Sequence, residues 1–270
     1  MAASMRVSSN CFVFNLNCIL KFRNYKFRLG SVLNSNSNRN LSTKELFPYQ
    51  YCRETVRKYD YENYLCSLLL SDSAVRSAAI VIRAFNAEIS QIRDMVSTVS
   101  IGEMRFKFWK NALENTFKGN PPEHPVAWEP CLANVHCDHV ASHIGKSQGI
   151  CNLLRAIPYN ASKGRLFLPL DLMIRIKLSQ ERIFRGNEKK NLQDAVYELS
   201  SVAHQHLNLG RKLSIDVPKE AKSIFLPAVA TAVYLNKLQK TDFDVFHPAN
   251  QKRNNLLPLS LLFHKLRKKY

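Results

Sequence analysis

Apolar residues in this chain recur at helical rather than strand spacing. Val75, Ala78, Ile82, Phe85, Ile89, Ile92 and Val96 follow one another in steps of three and four, which lays one continuous apolar stripe along a helix. Ser71-Asp72-Ser73 stands just before it and supplies the short oxygen side chains that cap a helix start. Upstream, Phe47–Leu70 predicts a first helix whose Tyr51, Tyr59, Tyr61 and Tyr64 give it an aromatic surface. Gly102–Phe117 predicts a third, carrying Met104, Phe108, Trp109 and Leu113. Pro121-Pro122 and Pro125 end that helix and open a weakly patterned stretch to about His136. Further helices are predicted from His139 to Ile157 and along Leu192, Ala195, Val196, Leu199, Val202, Ala203 and His206. Another covers Ala221–Leu238, with a kink at Pro227 because a proline inside a helix removes a backbone donor. The last segment, Leu256–Tyr270, sets leucines beside Lys265, Arg267, Lys268 and Lys269. No stretch gives short alternating runs with hairpin turns, so the fold class is all-α.

Composition narrows this in two ways. With 270 residues, 46% hydrophobic and 22% charged, the chain is an ordinary folded globular protein of one large domain or two small ones. Its net charge is +18, but residues 1–44 hold seven of the cations (Arg6, Lys21, Arg23, Lys26, Arg28, Arg39, Lys44) and no acid, leaving +11 for residues 45–270. A basic, Ser-rich, acid-free start has the composition of a mitochondrial transit peptide, and Arg39-Asn40-Leu41-Ser42 reads as its processing site. A secretory signal is the rival reading of Cys11–Leu20; Asn15 and Asn17 interrupt that run and favour the mitochondrial one. Nowhere are there the roughly 20 apolar residues that a transmembrane helix needs. Seven cysteines without pairing rhythm suggest no disulfide framework. Nucleic acid is disfavoured as a partner, since the cations are dispersed and the aromatics follow core spacing.

Chemistry concentrates in Gly145–Pro169, GKSQGICNLLRAIPYNASKGRLFLP. The spacing of Asn152, Leu154, Arg155, Gly164, Arg165 and Leu168-Pro169 resembles the second aspartate-rich motif of the squalene and phytoene synthases, QLTNILRD-x-x-x-D followed by GR-x-YLP. Ala84-Phe85-Asn86 through Asp94 resembles their first, AFCR-x-V-DD-x-x-D. The resemblance implies an isoprenoid synthase-like helical bundle. In such enzymes facing carboxylates hold several Mg²⁺ ions against a diphosphate leaving group. Here the first-motif positions are Ser90, Gln91 and Asp94, and the second-motif acids fall on Ala156 and Asn160, beside Asn152 and Arg155. One of five expected acids remains. A hydroxyl, amides and a methyl group do not replace carboxylates around magnesium. The expectation is therefore a pseudoenzyme with no catalytic residue, no metal and no cofactor. Arg76, Arg155 and Arg165 are candidate anion-binding residues, or else solvated or ion-paired ones.

Several further segments resemble the family of mitochondrial NADH dehydrogenase (complex I) assembly factor 6, a squalene/phytoene synthase-like group lacking the same acids. They include Asp60-Tyr61-Glu62-Asn63-Tyr64-Leu65, Gly102-Glu103-Met104-Arg105, Asp138 to Lys146, Ala203-His204-Gln205-His206-Leu207 and Asp242-Phe243-Asp244-Val245-Phe246-His247-Pro248, in the expected order from Leu46 to Tyr270. The resemblance implies a helper of complex I biogenesis on the matrix side of the inner membrane, with complex I subunits or assembly intermediates as partners. The cations Lys265–Lys269 beside Leu256, Leu257, Leu261, Leu262 and Leu266 read either as a solvated end or as a segment resting on an anionic inner-membrane lipid leaflet. An active prenyl-diphosphate condensing transferase is the alternative. One departure matters: Asp94 and Asn160 stand only 66 residues apart, whereas the family places further helices between them. The expected organisation is a transit peptide over 1–44 and a helical domain over 45–270 with an internal deletion near 128–136. Loss of covering helices predicts a less stable domain with an open groove.

Two bland readings complete the picture. His136, Cys137, His139 and His143, with Cys131, resemble a zinc cluster, but no second Cys/His pair lies at finger spacing and helix-start contacts account for them better. His206 continues an apolar stripe and reads as a satisfied core residue rather than a general base.

Overall fold

A computed structural model describes residues 43–118, 135–185, 188–219 and 221–270. The 1–42 part of the expected presequence, residues 128–134 of the expected junction, and Cys131 lie outside the described residues. Among the described residues every regular element is a helix. They divide into two compact units, with the boundary along the chain between Asp138 and His139.

The first unit holds α1 (Thr43–Tyr59), α2 (Tyr61–Leu68), α3 (Ser73–Met95) and α4 (Val99–Phe117). The single helix expected over Phe47–Leu70 is two. The chain breaks at Asp60, whose φ of −140° leaves the helical region while its own N–H still bonds the Val56 carbonyl at 2.8 Å. Asp72 caps α3 as expected, its carboxylate accepting from the Ala74 and Val75 amides. Along α3 the large stripe residues Phe85 and Ile92 are buried, with Val75, Ile82, Ile89 and Val96 half-buried. Burial also takes in Ala78, Ala79, Ile80, Arg83, Ala84 and Ala87, because alanines admit close approach by α1 and α2. Trp109 and Phe85 pack edge to face, 5.2 Å between ring centres, and hold α4 to α3, a contact worth about 1 kcal/mol beyond area burial.

The second unit, 139–270, is built on α5 (Val135–Arg155), which starts before the His139 expected for it. It continues through α6 (Ile157–Ser162), α7 (Leu170–Arg175), α8 (Gln180–Phe184), α9 (Lys189–Lys212), α10 (Pro227–Lys240), α11 (Pro248–Gln251) and α12 (Leu257–Arg267). Pro227 does not kink a helix. It occupies the first turn of α10, where its missing N–H has no intrahelical partner to lose, and a separate 3-10 turn over Lys222–Phe225 precedes it. Helix α5 lies close against α9. Ser147 Oγ donates to the Ala203 carbonyl at 2.7 Å, and a Cβ added at Gly210 would stand 3.0 Å from Ile144 Cγ1. The Asp242–Pro248 segment folds as a turn with Asp242 and Phe243 both at positive φ. It is pinned by Lys189 Nζ to Asp244 at 2.9 Å and by Gln193 Nε2 donating to the Asp242 carbonyl at 2.8 Å.

Candidate functional site

The first-motif positions lie on the last two turns of α3. Ser90 is exposed, and its hydroxyl donates to the Ala87 carbonyl at 2.8 Å. Gln91 is half-buried and Asp94, one helical turn beyond Ser90, is exposed. The other carboxylate of α3 is Glu88, which the motif spacing did not single out. It accepts a hydrogen bond from the Tyr51 phenol on α1. That bond to a carboxylate, with some burial, pushes the Tyr51 hydroxyl up to about 12. Glu88 therefore serves as a helix-to-helix tie. Arg76, a candidate anion ligand, turns back on its own chain: Nε and Nη2 donate to the Leu70 carbonyl at 3.0 and 2.7 Å.

The second-motif positions lie at the junction of α5 and α6. Helical bonds run on across it, from the Ala156 amide to the Asn152 carbonyl at 3.0 Å and from the Asn160 amide to the Ala156 carbonyl at 2.9 Å. Pro158 has no amide to offer Leu154, which interrupts the ladder. Ala156 and Asn160 thus keep the one-turn spacing that would align two carboxylates. Gly164, at φ 63°, ends α6 with its amide on the Ala161 carbonyl, and the Arg165 amide returns to the Asn160 carbonyl at 2.9 Å. This left-handed stop is the structural reason for the glycine of the GR pair. The Arg155 guanidinium lies 4.4 Å over the Tyr234 ring of α10. From His139 to Leu170 there is no Asp or Glu at all, while Lys146, Arg155, Lys163 and Arg165 fall in the same stretch.

These donors do not fit a magnesium cluster. Mg²⁺ in such sites is held by anionic oxygens. The second motif supplies an amide and a methyl group within an acid-free, cationic stretch. In the first motif the hydroxyl is committed to the backbone and Glu88 to a phenol. Among the described residues no three His, Cys, Asp or Glu side chains gather as metal ligands, and no helix is long and apolar enough to cross a membrane.

His206 is not a core residue closed among apolar neighbours. It is half-buried on α9, and its Nδ1 lies 2.9 Å from Nδ1 of His143 on α5. Burial lowers both imidazoles' proton affinity. Lys146 and then His139 add to this at His143, and His143 and then Lys146 at His206. One ring must donate and the other accept, so the contact needs at least one neutral Nδ1 acceptor. His139 is exposed, and Cys137 is buried.

The family model for squalene/phytoene synthase matches this chain over residues 56–136 and 130–259. The rat protein named NADH dehydrogenase (ubiquinone) complex I, assembly factor 6 is 40% identical over 275 residues, covering 82% of each chain. Its human counterpart is 38% identical with the same coverage. The chain belongs to the squalene/phytoene synthase family, in its complex I assembly factor 6 branch. The family fold is matched in a solved structure, the squalene synthase HpnC of Alicyclobacillus acidocaldarius. It aligns at a TM-score of 0.59 and 13% identity, over 74% of this chain and 96% of that one. That likeness concerns the isoprenoid synthase-like all-α fold and not the reaction.

Proposed function

We propose that this chain is a non-catalytic assembly factor of respiratory complex I, the mitochondrial NADH:ubiquinone oxidoreductase, acting through protein contacts. Its rat and human relatives carry that role in their names. The observation that carries the non-catalytic part is the chemistry at Ser90, Gln91, Ala156 and Asn160. A family scaffold keeps the backbone geometry of its acid motifs and lacks their charge. Asp94 alone is retained. Arg76 and Arg155 serve this scaffold structurally, engaged by Leu70 and Tyr234, and Arg165 stays a candidate anion-binding residue. In this reading residues 1–44 are a mitochondrial transit peptide, and the mature protein works peripherally on the matrix side of the inner membrane.

The chain is also a shortened family member, in our reading, with helices missing between α4 and α5. Two features support this. The two stretches matched by the family model overlap at 130–136, as they would across a join. In addition, 82% of 270 residues is about 221, so a match of 275 leaves about 54 positions with no residue from this chain. The half-buried Val75, Ile82, Ile89 and Val96 are where the lost cover would have lain.

Complementation tests the role. Expressed in cells whose own complex I assembly factor 6 has been deleted, the full chain should restore assembled complex I on native gels. Imported, stable protein without any restoration would overturn the proposal.

A further inference from the structure

We propose that the outward face of α12 is a docking surface for an anionic lipid bilayer. The helix has two apolar faces. Leu257 and Leu261 point inward and are buried. Leu256, Leu259, Leu262, Phe263 and Leu266 are exposed, by 66% at Leu259, 51% at Phe263 and 74% at Leu266. At 3.6 residues per turn those five fall within an arc of about 120° opposite the buried pair. A stripe this wide, left exposed by the described residues, calls for an apolar partner.

Charge identifies the partner. From Val245 to Tyr270 the chain carries Lys252, Arg253, Lys265, Arg267, Lys268 and Lys269 and no Asp or Glu. The Arg267 guanidinium lies 4.2 Å over the Phe263 ring, a cation at the margin of the stripe. Leucine and phenylalanine on one face with lysine and arginine along its edges is the pattern of a helix lying in a bilayer interface. A second copy fits worse, because pairing the stripes would bring two acid-free, cationic segments together.

The helix is also held in place to present this face. Lys268, at φ 51°, ends α12, and the Lys269 amide returns to the His264 carbonyl at 3.2 Å. Tyr270 then tucks its ring 5.1 Å from Phe225, and Arg211 Nε donates to the Tyr270 carbonyl at 3.1 Å. The stripe therefore sits on a fixed element whose far end is fastened to the core. The inference deepens the peripheral-membrane part of the proposed function and does not depend on the assembly role.

The test uses the full chain carrying Phe263→Trp, mixed with phosphatidylcholine vesicles with or without cardiolipin. Basic residues 1–44 can themselves bind such vesicles, so the readout is local: the emission of the introduced indole and its quenching by brominated acyl chains, after subtracting the unsubstituted chain. Expected are a blue shift and quenching with cardiolipin only. Neutralising Lys265, Arg267, Lys268 and Lys269 to Gln should weaken the partitioning reported by that indole by roughly fivefold per cation at low salt. Leu259→Ser with Leu266→Ser, both exposed and so compatible with folding, should abolish the shift. The proposal is overturned by an indole that stays in water on cardiolipin vesicles. It is equally overturned if the stripe changes dissolve a dimer, or release an acidic protein, while leaving the vesicle signal intact. A stripe variant that loses the vesicle signal yet restores complex I would leave the assembly reading standing. A chain that binds vesicles and fails to restore complex I would sink that reading alone.

Discussion

Arg83 offers a sharp test of how the first unit is held together. Its side chain is 5% exposed on α3, and the Asp60 carboxylate lies 3.9 Å away with 28% exposure. Asn63 Nδ2 stands 2.8 Å from both oxygens of that carboxylate, and Arg83 Nε meets no acceptor. Burial lowers the guanidinium's proton affinity, and Asp60 opposes part of that effect. At this separation and an effective dielectric near 20, the attraction is about 4 kcal/mol. Water reaches Asp60, so roughly 2–3 kcal/mol of it counts towards stability. Asp60→Asn removes that attraction, strands a buried cation and sets an amide against the Asn63 donors. The expected loss is roughly 2–3 kcal/mol, or a melting temperature lower by about 5–10 °C for a chain of this size. Arg83→Met removes the buried charge and its unmet donor together, and should stay within about 1 kcal/mol of the parent. Thermal melts of the full chain, followed by circular dichroism, measure both. If Asp60→Asn melts with the parent, or Arg83→Met falls as far as Asp60→Asn, the buried-charge account is refuted.

Three further outcomes follow from the geometry. Gly210→Leu forces a side chain into the α5–α9 seam, where even a Cβ would stand 3.0 Å from the fully buried Ile144. It should cost about 1–3 kcal/mol in denaturant titration, and an unchanged midpoint would contradict the close approach. His143 and His206 bind protons less readily folded than unfolded, so the stability they contribute is complete above about pH 6.5 and is lost as pH falls from there through their lower folded values. The double change His143→Gln, His206→Gln should flatten the fall in melting temperature between about pH 7.5 and 5; an equally steep profile would exclude the pair as its source. Asp72→Ala removes the acceptor for the Ala74 and Val75 amides and should cost about 1 kcal/mol, whereas Asp72→Asn should recover most of it.

Local pattern carried much of this architecture, and its failures share a cause. Asp72 and the stripe behind it were legible because a cap and a period are properties of neighbouring residues. The true breadth of α3 was not, since Ala79, Ala84, Ala87 and Arg83 are buried by what packs on them rather than by their own hydrophobicity. Asp60 splits a continuous apolar pattern because its carboxylate faces Arg83, 23 positions away. Helical spacing alone predicts a kink at Pro227 because sequence does not reveal that the preceding turn is a separate 3-10 segment. At the candidate site, the frame of both motifs and their missing acids could be read residue by residue. The Glu88–Tyr51 tie and the His143–His206 contact, 37 and 63 positions apart, leave no local mark. Of the carboxyl-terminal leucines, only the fold separates Leu257 and Leu261, which face inward, from the five that face out.

The loss of diphosphate chemistry at Ser90, Gln91, Ala156 and Asn160 is what the whole account turns on, and it is directly measurable. Purified full-length chain would be incubated with Mg²⁺ and farnesyl or geranylgeranyl diphosphate while inorganic diphosphate is followed by a coupled assay. The account predicts release at the rate of a protein-free control, at every magnesium concentration. Magnesium-dependent release above that control, abolished by Asp94→Ala, would contradict it.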